Sequence, residues 1–397
     1  MSTATIAITL FGIAFGLTQT RYSHVSRHFA MFLAAVAVNN APEAFGRMVE
    51  RMDAAYLNVI ELVVWFPSSL ALAPLFWLYV FSLTSPDDQR PVRIRRHLFL
   101  PGLAMLVGVL IAVTSDTASA FLDTDTETLP SGWSLGLLVI LAVLQLAVFV
   151  QIPVYLVLIV RRLLRYRVML RDVYSSTEAH ELRWIYMIGG LGALFWLASV
   201  GIQFLVLDAT RTTALALVFS VTSVVGLALV ATTTLWGLRQ RPPLLPDFDD
   251  TGQTDMTVTS QPAQPSEKYE KSALSAEASA RIARKLRAAM EQDHLHRDPN
   301  LSLWTLARHV GASPNYVSQT FSEEIEASFF DFVNSYRIAE AKELLAKTDN
   351  TVLTITYEVG FNARSSFYNA FKRLTGETPT SYRKTLSHPA GLDDGPA

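Results

Sequence analysis

The chain of 397 residues contains no cysteine, which excludes disulfides, thiolate nucleophiles and thiolate metal sites. Lysine is missing from the first 241 residues, which nevertheless hold 17 arginines. A Schiff base inside the apolar part needs a membrane amine and is therefore ruled out. The 8 histidines sit in polar stretches or at the ends of apolar runs. His24 and His28 stand four apart, but no third ligand is near and there is no His-Glu-x-x-His, so a solvated loop is the better reading. A Gly-x-Ser-x-Gly elbow and a phosphate-cradling glycine loop are also absent. These absences leave no catalytic residue, metal or cofactor to assign, and an enzyme is not expected. A net charge of −2 gives the whole chain no bias toward a strongly charged partner.

Apolar sequence is abundant. Half of the residues are hydrophobic, and the mean hydropathy is +0.28. Crossing about 30 Å of hydrocarbon takes roughly 20 apolar residues at about 1.5 Å each. Seven runs approach this length: residues 4–20, 28–44, 62–83, 97–114, 134–160, 184–207 and 213–238. The first has neither a basic start nor a small-residue cleavage signal before Arg21, and reads as a retained span rather than a signal peptide. Alternate connections between the runs carry 14 arginines, against 3 in the others. Since arginine stays on the cytoplasmic side, the expected topology is an odd number of membrane spans. The N-terminus lies outside and the polar C-terminal part lies in the cytoplasm.

Polar residues within spans are functional candidates because they are costly there. Asn39, Asn40, Glu43, Glu61 and Gln203 all map near the outer ends, while Gln145 and Gln151 lie deeper in the fifth run. Interfacial solvation and interhelical hydrogen bonding explain them most simply; a ligand site open to the outside is the sharper reading. Pro67, Pro74 and Pro153 mark kinks. Gly12-x-x-x-Gly16 fits a close helix contact, within the chain or between two copies. A transporter or membrane enzyme with a cytoplasmic regulatory domain is the rival class, but no inverted repeat supports it.

Composition changes at Pro242. Residues 242–274 are rich in Pro, Asp, Thr, Ser and Gln and read as a flexible linker, with a reach on the order of 30 Å. From Ser275 to residue 386 the pattern is a series of short amphipathic helices, and residues 387–397 read as a disordered tail. Ser275, Ser302, Ser313 and Thr351 stand where caps are expected, Pro314 at a first helical position, and Gly311, Gly360 and Gly376 at helix ends. Asn362 is expected to start the helix that ends at Gly376. The fold class is thus all-α: a seven-helix transmembrane bundle over residues 1–241, followed by a cytoplasmic all-α domain of about seven helices.

That domain contains a repeat. Leu306-Ala307 with Val310-Gly311 recurs 49 residues later as Ile355-Thr356 with Val359-Gly360, and Val317 and Phe321 recur 50 residues later as Phe367 and Phe371. Each unit, near residues 302–324 and 351–375, has the organisation of a helix-turn-helix. Two ordinary helical hairpins would show the same pattern, but the joining helix has about 20 residues and spans about 30 Å. This is close to the roughly 34 Å between successive major grooves on one face of DNA. With the aromatic stripe inward, helical spacing turns Asn315, Ser318, Gln319 and Ser322 outward in the first unit. Ser365, Tyr368, Asn369 and Lys372 follow in the second, with Arg364 at the helix start. Asn and Gln can pair with adenine and Arg with guanine; Lys372, Arg373, Arg383 and Lys384 suit phosphates. Between Glu277 and Lys384, 14 basic residues face 13 acidic ones. Nonspecific affinity is then modest, and specific binding needs a homodimer or membrane-confined concentration.

Arg337-Ile338-x-x-Ala341-x-x-Leu344-Leu345, Ile355-x-x-x-Val359-Gly360-Phe361 and Phe367-x-x-x-Phe371-Lys372-x-x-x-Gly376-x-Thr378-Pro379-x-x-Tyr382-Arg383 together resemble the AraC/XylS family of bacterial transcription regulators. The resemblance implies a two-unit DNA-binding domain acting at promoter DNA, usually through contact with RNA polymerase. The whole arrangement resembles members with a seven-span N-terminal region, so a one-component sensor of an unknown signal is implied. Thr356 replaces the usual Ala, and Gln319 and Ser322 stand where Arg and Lys are common, which leaves the first unit's contacts the less certain.

Overall fold

The computed structural model describes residues 1–19, 23–45, 59–85, 94–113, 132–178, 180–206, 212–239 and 275–387. The expected linker, the tail beyond Ser387, and Arg21, Arg47, Arg51, Arg90, Arg93, Arg211 and Arg241 lie outside them, as does the side chain of Gln203. Secondary structure among the described residues is helical apart from one isolated bridge. The chain forms two compact units, Met1–Leu164 with Leu182–Leu245, and Arg165–Glu181 with Pro246–Ala397.

The first unit contains α1 (Ser2–Thr18), α2 (Ser23–Ala44), a π turn (Glu61–Trp65) running into α3 (Phe66–Leu83), and α4 (Ile94–His97). There follow α5 (Phe99–Val113), α6 (Gly132–Arg171), α7 (Arg183–Val206) and α8 (Thr212–Arg239). Each of the seven apolar runs coincides with a helix. Four helical stretches are long and apolar enough to cross a membrane: Glu61–Leu83, Leu135–Arg171, Arg183–Ile202 and Ser220–Arg239. Ser2–Thr18 and Phe99–Val113 are apolar but shorter. α2 has the length, but His24, Arg27, His28, Asn39, Asn40 and Glu43 dilute its apolar character.

Two sequence features of this unit acquire structural reasons. Pro74 lies inside α3 and offers no N–H to the carbonyl of Leu70, four residues back. Gln151 Nε2 donates to that carbonyl at 2.5 Å, so the amide repairs a proline kink. At Gly12, a Cβ would stand 2.7 Å from Leu33 Cδ1 and 2.8 Å from Thr234 Cγ2. The close approach read from Gly12-x-x-x-Gly16 is therefore made within the chain, by α1 against α2 and α8.

The C-terminal part of the second unit has seven α-helices among its described residues: α9 (Ala276–Glu291), α10 (Leu303–Val310), α11 (Pro314–Thr320), α12 (Phe329–Lys347), α13 (Val352–Glu358), α14 (Arg364–Thr375) and α15 (Pro379–Ser387). Side-chain oxygens of Ser275, Ser302, Ser313, Ser328 and Thr351 each accept from the backbone N–H three residues on, which satisfies an orphan donor and fixes the helix start. α14 differs. Its N-cap is Ala363, with no side-chain bond, and the expected starter Asn362 instead donates Nδ2 to Pro299 O at 3.1 Å.

Two hydrophobic cores lie on the long helix α12. Phe329, Phe332 and Val333 join Leu286, Met290, Leu306, Val310, Val317 and Phe321 in the first. Ile338, Ala341 and Leu345 join Ile355, Val359, Phe361, Phe367 and Phe371 in the second. α12 has 19 residues and is about 28 Å long.

Candidate nucleic-acid interface

Each core supports one copy of the repeat. In the first, α10 ends at Gly311, whose φ of +67° is left-handed, and α11 follows after Ser313. In the second, α13 is followed by Gly360 at φ +93°, then by α14. A Cβ at Gly360 would stand 2.6 Å from the carbonyl oxygen of His296. Both the backbone conformation and the space therefore require glycine there. Leu306, Ala307, Val310, Val317 and Phe321 are buried, and so are their counterparts Ile355, Thr356, Val359, Phe367 and Phe371. Thr356, the departure from the usual Ala, donates its hydroxyl to Val352 O at 2.8 Å, so its polar atom is satisfied inside the helix.

With these residues inward, Asn315 and Ser318 of α11 are exposed. Gln319 is half-buried and donates Nε2 to Glu323 Oε1 at 3.0 Å, while Ser322 is exposed and donates to Ser318 O. On α14, Arg364, Ser365, Asn369 and Lys372 are exposed and Tyr368 is half-buried. The Arg364 guanidinium lies 4.9 Å over the Tyr368 ring and donates to its hydroxyl at 3.2 Å; Thr380 pairs with the same hydroxyl at 3.2 Å. Bonding to Thr380 first and to Arg364 second, against an opposing effect of burial, draws that hydroxyl below its ordinary pKa of 10.0. A stacked guanidinium is thereby held at the first turn of α14, the end that meets base edges in helix-turn-helix docking.

The four phosphate candidates separate. Lys372 and Lys384 are exposed. Arg373 pairs with Asp331 at 2.6 Å and lies 5.7 Å over Phe330. Arg383 is half-buried and donates to the carbonyls of Leu345 and Thr348, each at 3.4 Å, which caps the C-terminal end of α12. In the first unit of the fold, the polar residues proposed as a ligand site are used locally. Trp65 Nε1 donates to Asn39 O at 2.8 Å, Asn39 Nδ2 reaches Ser68 Oγ at 3.5 Å, and Asn40 donates to Val36 O in its own helix. Glu43 and Glu61 are exposed. An apolar cleft of about 180 Å³ is lined by Leu156, Ile159, Leu163, Ile185, Gly189 and Gly190, and Asn39, Asn40, Glu43 and Glu61 are not among its lining residues.

Two features escaped the sequence reading. Arg337, at the middle of α12, is 0% exposed. It donates to His296 O at 2.6 Å, Asp298 O at 2.7 Å, Ser175 Oγ at 3.1 Å, and Ser175 O, Ser176 Oγ and Asn334 Oδ1 at 3.3 Å. Burial pushes its pKa down to about 10, so the guanidinium is still charged at neutral pH. The second feature is Glu178, which accepts a hydrogen bond from Ser366 in the first turn of α14. Both involve the segment Arg165–Glu181, which composition alone assigns to a basic connection between apolar helices.

Comparison with known proteins agrees with this geometry. Residues 306–385 match a family model described as "Helix-turn-helix domain". The C-terminal domain is an AraC-type helix-turn-helix domain. An uncharacterized HTH-type transcriptional regulator of Staphylococcus aureus (strain COL) is 36% identical over 99 residues, covering 25% of this chain and 13% of that protein. The HTH-type regulator YtdP of Bacillus subtilis (strain 168) is 37% identical over 91 residues, covering 23% of this chain and 12% of that protein. The chain thus spans about an eighth of the length of these relatives. Among solved structures, the C-terminal domain of AraT, a response regulator from Geobacillus stearothermophilus, aligns at TM-score 0.25 and 26% identity, covering 29% of this chain and 92% of that one. That of the response regulator yesN from Fusobacterium nucleatum aligns at TM-score 0.23 and 26% identity, covering 27% and 99%. Both the Staphylococcus aureus and the Bacillus subtilis relatives are described as HTH-type transcriptional regulators.

Proposed function

We propose that the chain is a membrane-bound, one-component transcription regulator whose AraC-type domain reads promoter DNA and whose apolar helices sense a signal. The observation that carries this reading is the joining, in one chain, of a duplicated helix-turn-helix on a helix of about 28 Å to four helices of membrane-crossing length and composition. Outward-facing Leu146, Val150, Val154 and Val157 on α6 suit contact with lipid better than contact with water. The shorter apolar helices and the 14-to-3 arginine asymmetry support seven spans with the N-terminus outside and the C-terminal domain in the cytoplasm.

In this reading Arg364, Ser365, Tyr368 and Asn369 contact base edges in one major groove, and Asn315, Ser318 and Gln319 do so in the next. Lys372 and Lys384 meet phosphates. Arg373 and Arg383 first serve the protein, one holding Asp331 and the other the end of α12, and reach DNA only by exchanging those partners. Signal-dependent control requires two states of the apolar helices with different affinity for the signal, with Asn39, Asn40, Glu43, Glu61 and Gln203 as its proposed outer contact. RNA polymerase and a second copy of the chain are the expected protein partners.

The test uses the full chain in lipid nanodiscs, equilibrated with a random DNA pool at several salt concentrations. The reading expects an enriched sequence with two contact blocks about one helical turn apart. Failure to enrich any sequence at any salt concentration would refute it. Replacing residues 1–241 by an unrelated seven-span anchor separates sensing from tethering, because a retained signal response would refute the sensor assignment.

A further inference from the structure

The segment between α6 and α7 forms a strap on the AraC-type domain, and both belong to one compact unit. Tyr174 pairs with Ser302 in an antiparallel bridge, flanked by Leu303 N to Val173 O at 2.8 Å and Ser175 N to Leu301 O at 3.1 Å. Ser175 Oγ also donates to Leu301 O at 2.8 Å. The Tyr174 ring stacks on His180 at 3.7 Å and meets Trp304 of α10 edge-on at 5.8 Å. Three of the six acceptors around Arg337 come from Ser175 and Ser176. Farther along, Glu178 binds Ser366 of α14. The strap therefore touches the first helix-turn-helix, the joining helix and the second recognition helix within about ten residues.

Its position on α14 decides its consequence. At about 100° per residue, Ser365, Tyr368, Asn369 and Lys372 share one face, and Ser366 lies on the adjoining flank. A recognition helix in a major groove has phosphates along its flanks. A carboxylate on that flank, in the helix's first turn, adds negative charge to the side along which a phosphate backbone would run, and like charges repel. Glu178 is attracted by the buried Arg337 guanidinium, but its Oε2 is buried without a hydrogen-bond partner among the described residues, and that unmet acceptor is a cost of the docked state. The strap is covalently continuous with α6 and α7, two helices of membrane-crossing length, so a change in either acts on it directly.

We propose that residues 172–178 are an autoinhibitory strap: docked, they set Glu178 against the flank of α14 and oppose DNA binding, and undocking frees the second helix-turn-helix. This deepens the DNA-reading function proposed above and rests on it.

The absence of cysteine makes a clean test available. Tyr174 and Ser302 form a bridge pair without mutual hydrogen bonds, for which Cα atoms lie about 4.5 Å apart, within the range a disulfide tolerates. The double variant Tyr174→Cys/Ser302→Cys, as full chain in nanodiscs, is measured on the enriched DNA in oxidised and reduced forms of the same preparation. Oxidation should weaken binding roughly tenfold or more, and Glu178→Gln in the otherwise native chain should tighten it severalfold, most at low salt. Equal affinity of the oxidised and reduced forms, or tighter binding on oxidation, would overturn the strap, as would an unchanged or weaker Glu178→Gln complex. Because these outcomes are read on DNA that the native chain binds specifically, they overturn the strap alone. Absence of any specific DNA overturns the underlying reading instead.

Discussion

Replacing Arg337 by methionine should loosen the AraC-type domain more than any surface change, and the structure sets the size. Arg337 is fully buried and makes six donor contacts. Two of these, at 2.6 Å to His296 O and 2.7 Å to Asp298 O, have the length of strong charge-assisted bonds, and four, at 3.1 to 3.3 Å, are weaker. Methionine fills much of the volume but leaves the acceptors without donors. All six acceptors are neutral, and orphaned buried polar groups cost about 1–3 kcal/mol each, so losing the two short bonds together with the four weaker ones costs about 3–5 kcal/mol in total. The sum stays in this range because the native guanidinium already bears a desolvation cost that methionine relieves. About 3–5 kcal/mol corresponds to a loss of roughly two to three and a half powers of ten in the protection of buried amides in α10, α12 and α13. Hydrogen exchange with mass spectrometry on the full chain in nanodiscs reads this locally, which avoids treating a chain of two compact units as two-state. Arg337→Lys should recover part of the loss, since a single ammonium cannot reach acceptors spread along a planar fork. Protection lowered less than about fivefold by Arg337→Met, or fully restored by lysine, would refute the reasoning.

Three other outcomes follow from the same geometry. Asn369→Ala should relax base preference at one position of the enriched site by about 1–3 kcal/mol of discrimination, whereas Lys372→Ala should weaken all sequences alike and reduce the salt slope by about one; binding isotherms on single-base variants at several salt concentrations distinguish the two. Gly360→Ala should destabilise the second helix-turn-helix by about 2–4 kcal/mol, combining the cost of a positive φ with an overpacked contact, and local hydrogen exchange at α13 and α14 should show it. For Glu340, burial raises the carboxyl pKa, but the bonds from Arg297 and His296 outweigh it and set the folded value below 4.5. Its stabilisation is therefore complete above pH 4.5 and disappears as pH falls through the lower folded value; proteolytic susceptibility of the α9–α12 region should rise over that range in the native chain and respond less to acid in Glu340→Gln.

The parts of this protein that could be read from sequence are those governed by local chemistry. Ser275, Ser302, Ser313 and Thr351 announce their helices because a hydroxyl three residues before a free N–H needs nothing distant to act. The duplication could be read because both copies bury the same five positions, with Thr356 able to satisfy its own hydroxyl. What escaped depends on partners far along the chain. Asn362 has the look of a cap, yet its amide is taken by Pro299. Arg383 reads only as a phosphate candidate, and its bonds to the end of α12 cannot be seen from its position in the sequence. Gln151 looked like a polar intruder among apolar residues, and its reason is a carbonyl freed by Pro74 in another helix. The segment Arg165–Glu181 was read as a basic connection, and no spacing rule links Ser175 to an arginine 162 residues away.

Arg337 also explains why α12 lacks a single apolar stripe. At about 100° per residue, Phe329, Phe332 and Val333 cluster on one side of the helix, while Ile338, Ala341 and Leu345 cluster roughly 150° away. Each side serves a different core. Asn334 and Arg337 fall at the change of face, and both are 0% exposed. A purely apolar side chain there would leave the carbonyls of His296 and Asp298 unmet, so a donor with several N–H groups is the economical solution. One rigid helix thus carries two lobes whose cores face in nearly opposite directions, and bending it would break its own hydrogen bonds. The spacing of the two recognition helices is accordingly built into α12, and a signal that changes DNA binding would act more readily by uncovering a recognition helix than by moving one lobe against the other.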